Sequence, residues 1–423
     1  MNAIPTTRGS QAARYNIALM HPFDIRGTKI GGLETYIRDF VTFCPEDTRV
    51  LFIGVDAVGD MKPGEIVETT FRGRTFDFMP ILHYPDVRAR EAARRLTDSI
   101  TAQFFLALVR NFPAVAGALR ARRCSVDLRR VEFAWLPFVL RRPYVQMLHG
   151  EGVPQMAMDS LLQRYRFVHQ FGERFAVNTS RKFLCVNPMI TERLRHTYRR
   201  HVDKIDTLWT WVNTNIFRPQ PFPETISPFR VVFVGRLDEF KQPRLMFKVI
   251  ERLRSKLRGA VEFHYVGTSD PTRFAEFAAI EDVTVRHGFQ DAKGVANVVA
   301  QAHAGILTSE FEGMPRCVLE TLAIGRPVVA VYLPQLEAVI DDEVSGYLVP
   351  REMHDEDLVE TLAMRLLEVR NAVADGRVDP AGVAAKIATF TPDTQLARVY
   401  RLHHEIQRGD APSAGERLVQ SIG

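Results

Sequence analysis

From residue 15 onward the chain alternates short apolar runs with amphipathic stretches. "YNIALMHP" (15–22) has the length of one buried strand, and "GGLETYIRDFVTF" after it sets Leu33, Tyr36, Ile37 and Phe40 at helical spacing. Strand, glycine loop and helix are the opening of an α/β unit. Further strands are predicted at 49–55 and 143–150, and another at 182–187 that stops before Pro188 and the helical "MITERLRHTYRR". This alternation predicts a parallel, doubly wound sheet.

Residues 213–228, "NTNIFRPQPFPETISP", are dense in proline and carry no period, which predicts a linker between domains. Behind it the alternation restarts, with strands predicted at 229–235, 261–267, 283–288, 304–309 and 327–331 and a helix near 242–257. From 354 to 408 the pattern is helical, and the last dozen residues read as frayed. Length agrees with this division, because 423 residues exceed what one hydrophobic core usually supports.

Composition narrows the class. With 46% apolar and 25% charged residues the chain reads as a globular protein, neither disordered nor fibrous. Its start carries no apolar h-region and no run approaches the ~18 apolar residues of a membrane span, so a cytoplasmic protein is expected. Cys44, Cys124, Cys185 and Cys317 are scattered without a C-x-x-C pair, which predicts reduced thiols and no zinc site or disulfide framework. Net charge is +5, but residues 88–142 hold twelve arginines against four acids, a local excess of +8. No base-reading pattern accompanies them, so nucleic acid is not expected. Two readings remain for the basic stretch: a solvated helical face, or contact with an anionic membrane or substrate.

Candidate chemistry concentrates in "TSEFEGMPRCVLETLAIGRPVVA" (308–330). "AGILTS" is a strand and "EFEGM" a turn; Pro315 suits the first helical position, and Gly325 ahead of Pro327 stops the helix. A helix N-terminus at the carboxyl end of a parallel sheet attracts phosphate. Glu320, five residues beyond Pro315, would lie ~7–8 Å up the axis, about the reach from a diphosphate to a ribose. Glu312, in the turn, would sit on the other side of the phosphates, where an attached sugar would be. Two glutamates eight apart are also common as surface charge. "FVGRLDEFKQP" (233–243) adds Arg236 and Lys241 beyond the domain's first strand, two cations able to neutralise a departing diphosphate.

Together "GRLDEFK", "EGMPRCVLETLAIGRPVVA" and "IGGLETYIRDF" resemble the retaining GT-B glycosyltransferases of family 4, over roughly residues 15 to 400. The family's G-R-L-x-x-x-K and E-G-x-x-x-x-x-x-E-A-x-A-x-G-x-P-V-V-A are filled at almost every position, with Thr321-Leu322 where Ala-Met is common. The resemblance implies an α/β protein of two doubly wound Rossmann-like domains facing a central cleft. Residues 15–212 would form the acceptor side, 213–228 the linker, 229–390 the nucleotide-sugar domain, and 391–423 a helix packing back toward the first domain. It further implies that Arg236 and Lys241 bind the donor diphosphate, Glu320 the ribose and Glu312 the transferred sugar, with backbone N–H groups near Gly313 and Met314 adding contacts. Gly31 and Gly32 match a glycine loop where backbone approaches the phosphate, and His149 in "MLHGEG" matches a histidine facing the sugar. Arg286 to Gly288 in "VTVRHG" match the backbone that lies against the base.

This chain departs from the family where N-G-V-D precedes the linker, since Thr210, Trp211 and Asn213 stand there, and where "VGTSD" keeps only Gly267 of a glycine-rich loop. The activity implied is transfer of a hexose from a UDP- or GDP-linked donor to a glycan or lipid-linked acceptor, with retention, in cell-surface polysaccharide biosynthesis. The donor is a substrate, and no other cofactor or metal is expected. Asp355-Glu356-Asp357 spells D-x-D but reads as the acidic start of a helix. Two alternatives stand beside the transferase: a GT-B phosphorylase using inorganic phosphate, which a ribose-binding Glu320 argues against, and a non-catalytic sugar-nucleotide-binding subunit.

Overall fold

A computed structural model describes residues 14–28, 32–85, 99–148, 166–341, 344–352 and 354–410. The chain divides into two compact units, Met1–Leu208 with Leu396–Gly423, and Trp209–Gln395.

The first unit is built on eight strands: β1 (Tyr15–Met20), β2 (Thr48–Asp56), β3 (Val67–Phe71), β4 (Arg74–His83), β5 (Ser125–Leu128), β6 (Tyr144–Leu148), β7 (Lys182–Cys185) and β8 (Ile205–Thr207). Their order is β3-β4-β2-β1-β5-β6-β7-β8. Every pairing is parallel except the β3–β4 hairpin at the edge. Helices cover both faces of such a sheet, so its central strands are continuous apolar runs: in β1, Ile17 to Met20 have no exposed surface.

The last helix, Pro392–Arg408, contributes its residues from Leu396 onward to this unit. Tyr400 packs its ring 4.8 Å from Phe40. His403 meets Ser125 Oγ at 2.9 Å and Asp127 Oδ2 at 3.2 Å, while the Gln407 amide donates to Ser125 Oγ at 2.7 Å and to the Asn16 carbonyl at 2.8 Å. Asp127 is also 2.8 Å from the Arg129 guanidinium, which lies over the Tyr36 ring at 3.7 Å. A buried carboxylate thus has cationic and hydrogen-bonding partners on two sides, the condition under which buried charge is tolerated.

The second unit has six strands: β9 (Phe229–Val234), β10 (Val261–Val266), β11 (Thr284–Gly288), β12 (Ala304–Leu307), β13 (Val328–Val331) and β14 (Gly346–Val349). All pairings are parallel, in the order β11-β10-β9-β12-β13-β14. This is the 3-2-1-4-5-6 order of a dinucleotide-type fold, and the direction of winding reverses between β9 and β12. Beyond the sheet the pattern expected to be helical from 354 to 408 is broken into Asp355–Ala374, Pro380–Ala385 and Pro392–Arg408.

The proline-rich segment expected to link two domains lies against the second unit. The Val212 N–H donates to the Phe390 carbonyl at 2.9 Å, and the Gln220 N–H to the Ile324 carbonyl at 3.1 Å. Arg326 fixes it. Its fully buried guanidinium donates to the carbonyls of Gln220, Pro221, Ala300 and Ala302 at 2.7–2.8 Å and lies over the Phe222 ring at 4.5 Å. Burial lowers its pKa to about 10, so it is still charged at neutral pH. Arg326→Met should lower stability by ~2–4 kcal/mol, because several buried carbonyls lose their donor together. Urea unfolding followed by tryptophan fluorescence tests this; an unchanged midpoint would show that the guanidinium is dispensable.

Candidate functional site

The loops that leave β9 and β12 emerge side by side where the winding of the second sheet reverses, so their backbones can be tied together directly. The Thr308 hydroxyl donates to the Lys241 carbonyl at 2.8 Å, and the Glu310 N–H to the Phe240 carbonyl at 2.8 Å. The neighbouring loop after β10 closes in as well. Gly235 takes φ +149°, and a Cβ on Gly267 would come within 2.2 Å of the Gly235 carbonyl oxygen, so "VGTSD" keeps its glycine for close approach. The Leu237 N–H then donates to Ser269 Oγ at 3.1 Å.

These ties hold Lys241 and Glu312 against each other. The Lys241 ammonium donates to Glu312 Oε1 at 2.5 Å, with side-chain exposures of only 13% and 15%. Ser309 Oγ donates to the same carboxylate oxygen at 3.1 Å, and the buried Gln335 amide donates to the Glu312 carbonyl at 2.9 Å. Desolvation disfavours the buried ammonium, yet the surrounding negative partners prevail and its pKa is raised above the ordinary lysine value. Burial pushes the Cys317 thiol up to about 12, so it is neutral at pH 7 and Glu312 is the partner that keeps the lysine charged.

The helix Arg316–Ala323 starts one residue later than expected, with Pro315 as its extended cap and Arg316 as the first helical residue. Glu320 is therefore four residues beyond the first helical position, and Arg316 Nε stands 3.7 Å from Glu320 Oε1. Glu312 lies in the turn just ahead of this helix and Glu320 within it, so both glutamates belong to the segment around one helix start. Arg316 was not legible as a site residue, although a cation at the positive end of a helix is unfavourable without an anion nearby, and that is a signal. Ser309 and Gln335 carry no such signal in one sequence.

The other predicted residues are dispersed. Arg236 does not join the Lys241–Glu312 pair; its side chain is 73% exposed and held by Asp238 at 2.9 Å. Gly313 lies in the turn, half-buried, and Met314 is buried. On the edge strand β11, Arg286 pairs with Glu281 at 2.6 Å and lies over the Phe277 ring at 5.0 Å, while Gly288 takes φ +62°. In the first unit Gly32 opens the helix Gly32–Thr42; Gly31 and His149 lie outside the described residues. Ahead of that helix Arg26 is clasped by Asp24, Asp56 and Asp60, each at 2.9 Å, and Asp56 also accepts from the N–H groups of Val58, Gly59 and Met61. Asp355 to Asp357 form the first turn of their helix, and Glu356 pairs with Arg252 at 3.1 Å.

Residues 228–368 match the family model of "Glycosyl transferases group 1". The match lies within the second unit, which is thus similar to the group 1 glycosyl transferases. Similar to this chain in sequence is the amylovoran biosynthesis glycosyltransferase AmsK of Erwinia amylovora, 27% identical over 193 residues that cover 43% of this chain and 45% of that protein. A D-inositol 3-phosphate glycosyltransferase of an Arthrobacter species is 26% identical over 198 residues, covering 42% of this chain and 46% of that protein. The chain thus spans about half the length of the curated relatives it matches. Among solved structures, the sucrose-phosphate synthase of Thermosynechococcus elongatus aligns with a TM-score of 0.66 at 17% identity, over 94% of this chain and 100% of that one. The fold is GT-B, two Rossmann-like units, and the family-model match falls in the second of them.

Because the folded pKa of Lys241 is raised, the stability it contributes is fully present below the unfolded pKa of about 10.4 and is lost as pH rises through the folded value. The difference in unfolding free energy between the wild type and Lys241→Met should therefore stay constant from neutral pH to about pH 9.5 and fall only above about pH 10.5. Denaturant titrations across that range test it; a difference that vanishes by pH 9 would show a lysine whose pKa is depressed.

Proposed function

We propose that this protein is a glycosyltransferase that moves a hexose from a UDP- or GDP-linked donor to a glycan or lipid-linked acceptor, with retention, in polysaccharide biosynthesis on the cytoplasmic side of a membrane. The observation that carries the reading is the Lys241–Glu312 pair ahead of the helix that holds Glu320, at the reversal point of a sheet similar to the group 1 domain. A donor diphosphate entering there takes the Lys241 ammonium as counter-ion. Glu312 is then released to accept hydrogen bonds from the sugar, while Glu320 accepts from the ribose and Arg316 adds positive charge between them. Arg236, held only at the surface by Asp238, is available to close on the phosphates.

No carboxylate of this constellation is assigned as a nucleophile, and attack from the front face follows. The bond from the anomeric carbon to the phosphate oxygen breaks as the acceptor oxygen bonds to the same face. The acceptor's proton passes to the departing phosphate. Positioning and charge stabilisation supply the rate. Proton NMR of the product reads the anomeric configuration directly; an inverted centre would refute this route.

Removing one donor to a developing anion typically costs ~10²–10³ in rate, so Lys241→Ala and Arg236→Ala should each lose about that much in kcat at saturating donor. Near-wild-type turnover in either variant would remove that residue from the mechanism. The two glutamates separate in calorimetry on the free nucleoside diphosphate. Glu320→Ala should weaken binding about tenfold, the scale of a lost charged hydrogen bond, while Glu312→Ala leaves affinity equal or higher because Lys241 is freed. The reverse order would show that the roles are exchanged. Activity that requires inorganic phosphate and ignores nucleotide would favour a phosphorylase.

A further inference from the structure

Among the described residues of the first unit, one apolar face stands outside the core. On the helix Ile100–Arg110, Phe104, Ala107 and Leu108 are buried, while Phe105, Leu106 and Val109 are 37–53% exposed. The short helix Trp135–Val139 leaves Phe138 and Val139 more than half exposed. On Arg166–Thr179, Phe167 and Phe171 are 68% and 74% exposed and lie one turn apart in line with Phe175. These groups are continuous: Phe105 meets Trp135 at 5.5 Å, Trp135 and Phe138 share one helix, and Phe138 meets Phe175 at 5.2 Å.

Among the described residues, the exposed charges on these helices and their adjoining turns are arginines. Arg110, Arg120, Arg141 and Arg174 are exposed on or beside these helices. The acids there are largely occupied: Asp127 is buried beside Arg129, Glu173 is buried and bonded to Arg193 and Tyr198, and Glu132 is half-buried. Among the described residues no single helix is long and apolar enough to cross a membrane. Ile100–Arg110 and Phe112–Ala121 together are apolar enough, but they bend by 75° and give their inner sides to the core, so they lie along a surface.

We infer that this face of helices Ile100–Arg110, Trp135–Val139 and Arg166–Thr179 seats the first unit on an anionic lipid bilayer, with the aromatic side chains in the interface and the arginines among the headgroups. Exposed phenylalanines bordered by arginine are the composition of an interfacial anchor. A second copy of the chain fits less well, because a symmetric pair would set the same arginines against each other. Arg90, Arg94 and Arg95, within the basic stretch the sequence points to, lie outside the described residues. The inference is independent of glycosyl transfer, since vesicle binding needs no donor.

The test is co-sedimentation of the full chain with vesicles of equal parts phosphatidylcholine and phosphatidylglycerol, against pure phosphatidylcholine. The wild type should sediment with the anionic vesicles at low salt and be released as salt rises. Phe138→Ser with Phe171→Ser should reduce the partition coefficient at least about tenfold, as should the independent pair Leu106→Gln and Val109→Gln. Arg110→Glu with Arg174→Glu should lose binding and its salt dependence together. Melting midpoints and calorimetric nucleotide binding should be unchanged in all three, which separates lost docking from lost folding. Wild-type protein that ignores anionic vesicles at low salt would overturn the inference. So would light scattering that shows a dimer broken by the phenylalanine pair, which would assign the face to a second copy.

Discussion

An ammonium and a carboxylate 2.5 Å apart, both largely withdrawn from water, are the contact on which the candidate site rests. Each alone would carry a severe desolvation penalty, and each is acceptable because the other is there. The pair exists because a parallel sheet reverses its winding between β9 and β12, bringing two loops close enough for backbone hydrogen bonds to fix them. Such a pair is also poised for exchange. On the proposed function a diphosphate would offer Lys241 more negative charge than Glu312 does, and the displaced Glu312 would accept from sugar hydroxyls.

Buried charge is used elsewhere for a different purpose. Arg326 joins residues 220–221 to 300–302 of the second unit, and Asp127 with His403 joins β5 to the end of the chain in the first. Both tie segments far apart in sequence, and both use groups whose partners are almost entirely internal. The Lys241–Glu312 pair differs in keeping some exposure at the end of the sheet, where a ligand can reach it.

Much of this was legible in the sequence because strand runs and glycine corners are local. The strands at 15–20, 229–234, 261–266 and 304–307 fall within the runs that predict them. The β3–β4 hairpin was not, since Val67–Phe71 is a largely polar edge strand with no burial to impose alternation. Nor was the attachment of residues 209–228 to the second unit, because proline density reads as linker while the deciding donor, Arg326, is a hundred residues away. In the candidate site, Lys241, Glu312 and Glu320 were singled out by spacing and by the family resemblance, and the structure brings Lys241 and Glu312 together. Arg316 was hidden by its place between two glutamates, and the exposure of Arg236 depends on a side-chain direction that spacing does not give.

Thermal denaturation of the full chain with UDP, GDP and ADP, each beside its unphosphorylated nucleoside, tests most directly whether the reversal point of the second unit is a diphosphate site. At a hundredfold excess over Kd, one diphosphate should raise the melting midpoint of the wild type by roughly 5 °C, and its nucleoside should raise it far less. The rise should disappear in Lys241→Ala. Equal shifts from nucleoside and diphosphate, or no shift from any of the three, would contradict a site built around Lys241 and Glu312.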